Sequence, residues 1–157
     1  MTKRKAAKPR TLKASEHQSQ VAVFQWAKLM EKRWPELKLM FAIPNQTPGR
    51  SIGGWAYMKA EGLRAGVPDI FLPVAHGGFF GLWIEMKSAN NKPTAEQWGW
   101  IGALRLQGYQ CRVCWSSAEA IAALTDYLES GITSAMSWDK RAAARAADEA
   151  LGEVGDA

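Results

Sequence analysis

Residues 66–92, GVPDIFLPVAHGGFFGLWIEMKSANNK, constrain the fold more than any other part of the chain. Two apolar runs, DIFLPV and FFGLWIEMK, are joined through AHGG, where Gly77 and Gly78 can supply the positive φ that a tight hairpin needs. Side chains alternate along a strand, so Leu82, Ile84 and Met86 point one way and Trp83, Glu85 and Lys87 the other. Both faces are apolar until the C-terminal end, which is the pattern of a strand inside its sheet with layers packed on each side. Glu85 and Lys87 therefore share a covered face, where an unpaired charge costs several kcal/mol. Asp69 starts the partner strand, and a turn near 75–79 brings it level with Glu85 and Lys87.

The flanking sequence supplies the layers. Ser15 with Gln18 forms a capping-box pattern, and Val23, Ala27, Met30 and Trp34 follow at helical spacing, so 15–34 reads as a helix closed by Pro35. Continued backwards, its apolar stripe reaches Gln20 and Glu16, putting an amide and a carboxylate at the start of the core-facing side. LKLMFAIPN (37–45) reads as a short strand ending at Pro44, and 46–54 as a loop. WAYMKAEGLRAG (55–66) fits either a short helix or a long turn. A second capping box, Thr94 with Gln97, opens a helix over 94–107 that stops at Gly108. The strand YQCRVCW and a helix over 117–130, ended by Gly131, complete the pattern. The order helix, three strands, helix, strand, helix predicts an α/β domain with a mixed sheet flanked by helices (α-β-β-β-α-β-α).

At 157 residues the chain has room for one domain with a full core. No stretch approaches the length of a membrane span, and no apolar segment follows the basic N-terminus, so a cytoplasmic protein without a secretory signal is expected. The net charge of +5 is uneven: residues 1–13 carry six of the 20 Lys/Arg and no acid, leaving 14 basic against 15 acidic elsewhere. The division expected is a flexible basic arm over 1–14, a domain over 15–130 and an alanine-rich, helix-prone tail over 131–157. The arm suits phosphate attraction through counterion release, and equally a solubilising role. Cys111 and Cys114 form one C-x-x-C, which as a lone pair reads as two small core residues before it reads as a zinc or redox site.

Two carboxylates meeting at a sheet end repel one another, but suit a hard divalent cation such as Mg²⁺, which takes oxygen ligands and keeps several waters. With Glu16 the set becomes three carboxylates, and Lys87 beside them can stabilise developing negative charge or position a water. That combination fits phosphodiester hydrolysis. Gln97 has two readings at this stage, as a member of a helix cap and as a polar group facing the site.

The order Glu16, Pro68-Asp69, Glu85-Met86-Lys87 resembles the PD-(D/E)xK nuclease superfamily, and more narrowly its VRR-NUC branch, the virus-type replication-repair nucleases. The resemblance rests on SEHQSQVAVFQWA, GLRAGVPDIFL, LWIEMKSANNKPTAEQWGWIGALRLQGYQCRVCWS and AEAIAALTDYL, spanning 15 to about 130 and including Gly66, Gln97 and Gly108. It implies a restriction-endonuclease-like fold and DNA endonuclease activity dependent on Mg²⁺, with Mn²⁺ able to substitute. Asp69, Glu85 and the main-chain carbonyl of Met86 would bind metal, Glu16 would complete or support the site, Lys87 would be the catalytic lysine, and Gln97 would sit at its edge. Asn91 and Lys92 match an acidic-basic pair of some relatives only weakly and are given no catalytic role. Small stand-alone relatives imply a homodimer acting on branched or four-way-junction DNA in a repair setting, in a bacterial or virus-infected cell. Trp55, Trp98 and Trp100 could stack on unpaired bases. The competing reading is a non-catalytic nucleic-acid-binding or assembly protein that keeps the nuclease fold.

Overall fold

The structure is a computed structural model that describes residues 15–44, 52–88 and 90–131, with the backbone alone at 52, 53 and 55. The basic arm (1–14), most of the alanine-rich tail and the Trp55 side chain lie outside the described residues.

A four-stranded mixed sheet in the order β1-β2-β3-β4 forms the centre. Its strands are β1 (Phe41–Ala42), β2 (Ile70–Leu72), β3 (Leu82–Met86) and β4 (Gln110–Cys114). The hairpin forms as expected: β2 and β3 are antiparallel with Ile70 opposite Ile84, and the turn carries Gly77 and Gly78 at φ 56° and 87°. Two successive positive φ values match the right-handed twist of the strands and exclude β-branched side chains. β4 pairs in parallel with β3, and α3 (Ala95–Leu106) makes the crossover that a parallel pair requires. β3 is thus internal, as its two-sided apolar pattern implies.

α1 (Glu16–Met30) and α4 (Ser117–Glu129) pack on one face. Val23 and Ala27 of α1 and Ala120, Leu124, Tyr127 and Leu128 of α4 lie at helical spacing and join Ile70, Leu72, Leu82, Ile84 and Met86 in one core. The residues of β3 that face the other way leave this core, and α3 touches that side chiefly at β4. Trp83 stacks there on Phe71 with ring centroids 4.1 Å apart. Gly81, two residues earlier, makes room for this stack, because a Cβ would lie 2.8 Å from the Phe71 ring and 2.9 Å from the Leu72 carbonyl oxygen. Gly81→Ala should therefore destabilise the fold by about 1–3 kcal/mol, the range for overpacking, read as a lower urea midpoint with an unchanged slope; a wild-type midpoint would mean the ring moves aside at no cost.

Three local expectations are corrected. The first helix ends at Met30, not Trp34, because the proline at 35 disfavours helical geometry in the residue before it, and Trp34 sits at φ −127°, ψ 88°. Over 37–44, Asn45 lying outside the described residues, the segment is mostly not a strand: Pro35–Leu39 form a 3₁₀ turn that buries Leu37, and only Phe41–Ala42 pair. Proline pre-sets φ for a tight helical turn, and Leu37 and Met40, three apart, are both buried, so local burial follows the turn. Within 55–66 the helix alternative holds but begins earlier, as α2 (Ile52–Ala60), which adds a helix between the first two strands. Gly62 and Gly66, at φ 100° and 82°, then carry the chain round to β2.

The capping boxes at Ser15–Gln18 and Thr94–Gln97 are both present, and Gly108 and Gly131 take the left-handed positions past the ends of α3 and α4. Cys111 and Cys114 are free and buried, three apart on a strand and so on opposite faces, which suits packing and not shared ligation. Burial raises both thiols, Cys114 to about 11. No described helix is long and apolar enough to cross a membrane.

Candidate active site

The hairpin register extends one step beyond Ile70–Ile84 to set Asp69 beside Glu85, at the C-terminal end of β3. Asp69 Oδ2 accepts a hydrogen bond from the Met86 main-chain N–H at 2.8 Å. This bond fastens the start of β2 to the end of β3 where the ladder stops. From the other side, Glu16 Oε1 accepts from the Ser88 N–H at 2.8 Å, across 72 residues of sequence. Glu16 lies in the first turn of α1, as the backward extension of its stripe requires, and fixes the chain just past Lys87. Both flanking carboxylates therefore hold backbone as well as bring charge.

Glu85 is the centre of the arrangement. Its side chain is 0% exposed, and Oε1 takes Lys87 Nζ at 2.7 Å and a hydrogen bond from Gln97 Nε2. Oε2 is buried with no hydrogen-bond partner. Burial pushes the Glu85 carboxyl up from 4.5 to about 7, Asp69 and Glu16 push the same way by charge repulsion, and Lys87 opposes them. A buried carboxylate that spends one oxygen on two donors and has no protein donor at the other carries charge that a bound cation could balance.

Gln97 resolves its two readings by doing both. Its Oε1 accepts from Thr94 N–H, closing the capping box, and its Nε2 reaches Glu85. The cap holds the amide in one orientation, so the helix end aims a fixed donor at the carboxylate.

Among the described residues, no three His, Cys, Asp or Glu side chains converge into a protein-only metal cage. A magnesium-like ion does not require one, since one or two carboxylates and several waters suffice. The bare Glu85 Oε2, on a carboxylate that Asp69 neighbours, fits that demand, whereas a soft metal would want nitrogen or sulfur donors.

Three further contacts were not legible in the sequence. Trp100 Nε1 donates to the Ala65 carbonyl at 2.8 Å, and Trp115 Nε1 to the Asn91 carbonyl at 2.9 Å. These indoles tie down the loop leading to Asp69 and the loop leaving Lys87. Gly66 lies against α3 so closely that a Cβ would stand 3.0 Å from the Glu96 backbone and from Trp100. Its spacing before Pro68-Asp69 is visible in the sequence, but the helix it touches is not. Of the tryptophans expected to meet bases, Trp98 is half exposed while Trp100 has its N–H committed to Ala65.

Compared with known proteins, the chain matches the family model described as VRR-NUC domain over residues 6–118. A solved structure described as a VRR-NUC domain protein has a TM-score of 0.65 and 27% sequence identity, covering 76% of this chain and 92% of that one. No curated protein matches.

Proposed function

The chain belongs to the VRR-NUC domain family, and from that premise we propose that it is a Mg²⁺- or Mn²⁺-dependent deoxyribonuclease acting as an endonuclease on DNA phosphodiester bonds. Family membership alone makes the function nuclease-type. The observation that carries the finer reading is the buried Glu85, with Oε2 bare and with Asp69, Lys87 and Gln97 around it.

Each residue has a role that follows from its contacts. Glu85 and Asp69, with the Met86 carbonyl at the same strand end, are the groups that would hold the cation, and Glu16 supports them through Ser88. When bound, the divalent ion supplies Lewis acidity: it lowers the pKa of a water and screens the phosphate. Lys87, held at Glu85 and only 8% exposed, presents an ammonium in a largely dry setting where it can stabilise charge building on a phosphate oxygen. Gln97 fixes the Glu85 rotamer through one oxygen and so keeps the other directed away from it. Attack of water on phosphorus, with departure of a sugar oxygen, requires such fixed groups more than it requires covalent chemistry from the protein.

A preference for branched or junction DNA, and action as a homodimer that sets two sites about a two-fold axis, are the finer parts of the same proposal. The intact carboxylates and lysine weigh against a binding-only protein. The test is a panel of linear duplex, single-stranded, flap and four-way-junction DNA incubated with protein and Mg²⁺, Mn²⁺ or EDTA. Cleavage with either metal, none in EDTA, and faster cutting of branched substrates are the expected results. Metal-independent cleavage would sink the mechanism, and salt-sensitive binding without any cutting would favour the binding-only alternative.

A further inference from the structure

The indole of Trp100 is assigned to no role by the family match or by the proposed chemistry, yet α3 uses it to grip the segment that delivers Asp69. We propose that Trp100 is a positioning residue. Through Trp100 and Gln97, one turn of α3 sets the separation of Asp69 and Glu85, and hence how tightly the pair takes up a divalent cation. The proposal rests on the metal-dependent reading above.

Three contacts carry it. Gln97, in the first turn of α3, donates to Glu85. Trp100, one turn on, donates to the Ala65 carbonyl at 2.8 Å. Gly66, at φ 82°, lets the following chain lie directly on the helix, where a Cβ would crowd Glu96 and Trp100 at 3.0 Å. Between this grip and Asp69 stand only Val67 and the fully buried Pro68, whose ring removes freedom in φ. Little backbone slack therefore separates the indole contact from the carboxylate. A helix turn is stiff, so Asp69, just before β2, and Glu85, on β3, share one rigid reference in addition to the bond from Met86 N–H to Asp69.

The test is Mn²⁺ titrated into metal-free protein, with free Mn²⁺ read by electron paramagnetic resonance and melting followed in parallel. Trp100→Phe keeps the ring and removes the donor; Gly66→Ala disturbs the same contact from the loop side. Each should weaken Mn²⁺ binding by about tenfold, the lower end of what outer contacts to a metal site contribute. Because both loosen one contact, the double variant should be little weaker than either single variant. Trp100→His, which restores a ring N–H, should recover part of the affinity. Wild-type Mn²⁺ affinity in Trp100→Phe and Gly66→Ala overturns the proposal, whether or not melting falls, since a purely structural role moves only melting. If one variant does not fold, the other and Trp100→His decide by the same criterion. Absence of Mn²⁺ binding in the unaltered protein is a different outcome, which overturns the metal-dependent reading itself.

Discussion

Glu85→Gln should abolish detectable cleavage and at the same time make the metal-free protein more stable at pH 8. The two effects share one cause. Glutamine keeps an oxygen for Lys87 and Gln97 but carries no charge, so it mimics the protonated acid that the buried site prefers when no cation is present. The sign follows from the raised pKa. Glu85 has its folded value near 7 against 4.5 in the unfolded chain, so between these values the folded protein holds a proton that the unfolded chain has released. Its contribution to stability is therefore undiminished below about pH 4.5, declines as the pH rises from there to about 7, and is flat beyond. A shift of this size corresponds to about 3 kcal/mol at its plateau. Thermal melts of metal-free protein should show a gap in favour of Glu85→Gln at pH 8 that closes near pH 4.5. Added Mg²⁺ should narrow the gap by stabilising the unaltered protein, since a cation binds the ionised carboxylate. Equal melting at pH 8, or cleavage that survives the substitution, would contradict the placement of Glu85 at the centre of the site.

Lys87→Met should slow cleavage by about 10²–10³-fold, the loss expected when one preorganised donor to a developing charge is removed. Methionine fills the volume of the lysine stem, so the effect isolates the ammonium. The protein should stay folded at pH 6. Lys87 is the cation that opposes the upward shift of Glu85, and without it the carboxyl moves further above 7 and takes a proton instead of standing as an uncompensated buried charge. Stability should fall relative to the unaltered protein at pH 9, where keeping or releasing that proton costs most. Single-turnover rates on a cleavable substrate, with melts at the two pH values, test both parts. A rate within threefold of the unaltered enzyme would remove Lys87 from the chemistry.

Both predictions show how stability and function compete at this strand end. In most of the fold, burial and apolar character agree: Leu82, Ile84 and Met86 face the α1–α4 core, and nothing is gained by changing them. Glu85, next in line on the same strand, is as buried as they are and is ionisable. Asp69 and Glu16 bring further negative charge towards it while their own oxygens hold main-chain N–H groups. A site organised for a cation is poorly balanced without one, which is why local rules of stability break down here.

Much of this was determined by the sequence alone, because the forces concerned are local. Turn geometry selects Gly77 and Gly78, capping boxes select Ser15–Gln18 and Thr94–Gln97, and period-two alternation places Glu85 and Lys87 on one face; each depends on residues within a few positions of one another. The hairpin then makes the meeting of Asp69 and Glu85 a matter of counting. Tertiary structure alone decided the rest. The burial of Leu37 and Met40 turned an expected strand into a 3₁₀ turn, and nothing in Glu16 or Ser88 announces a bond between them. The grips of Trp100 on Ala65 and Trp115 on Asn91 are equally silent in the sequence. Above all, the shift of Glu85 to about 7 belongs to no single residue. It is the desolvation produced when helices, sheet and hairpin close together, and that quantity exists only after long-range packing has removed the water.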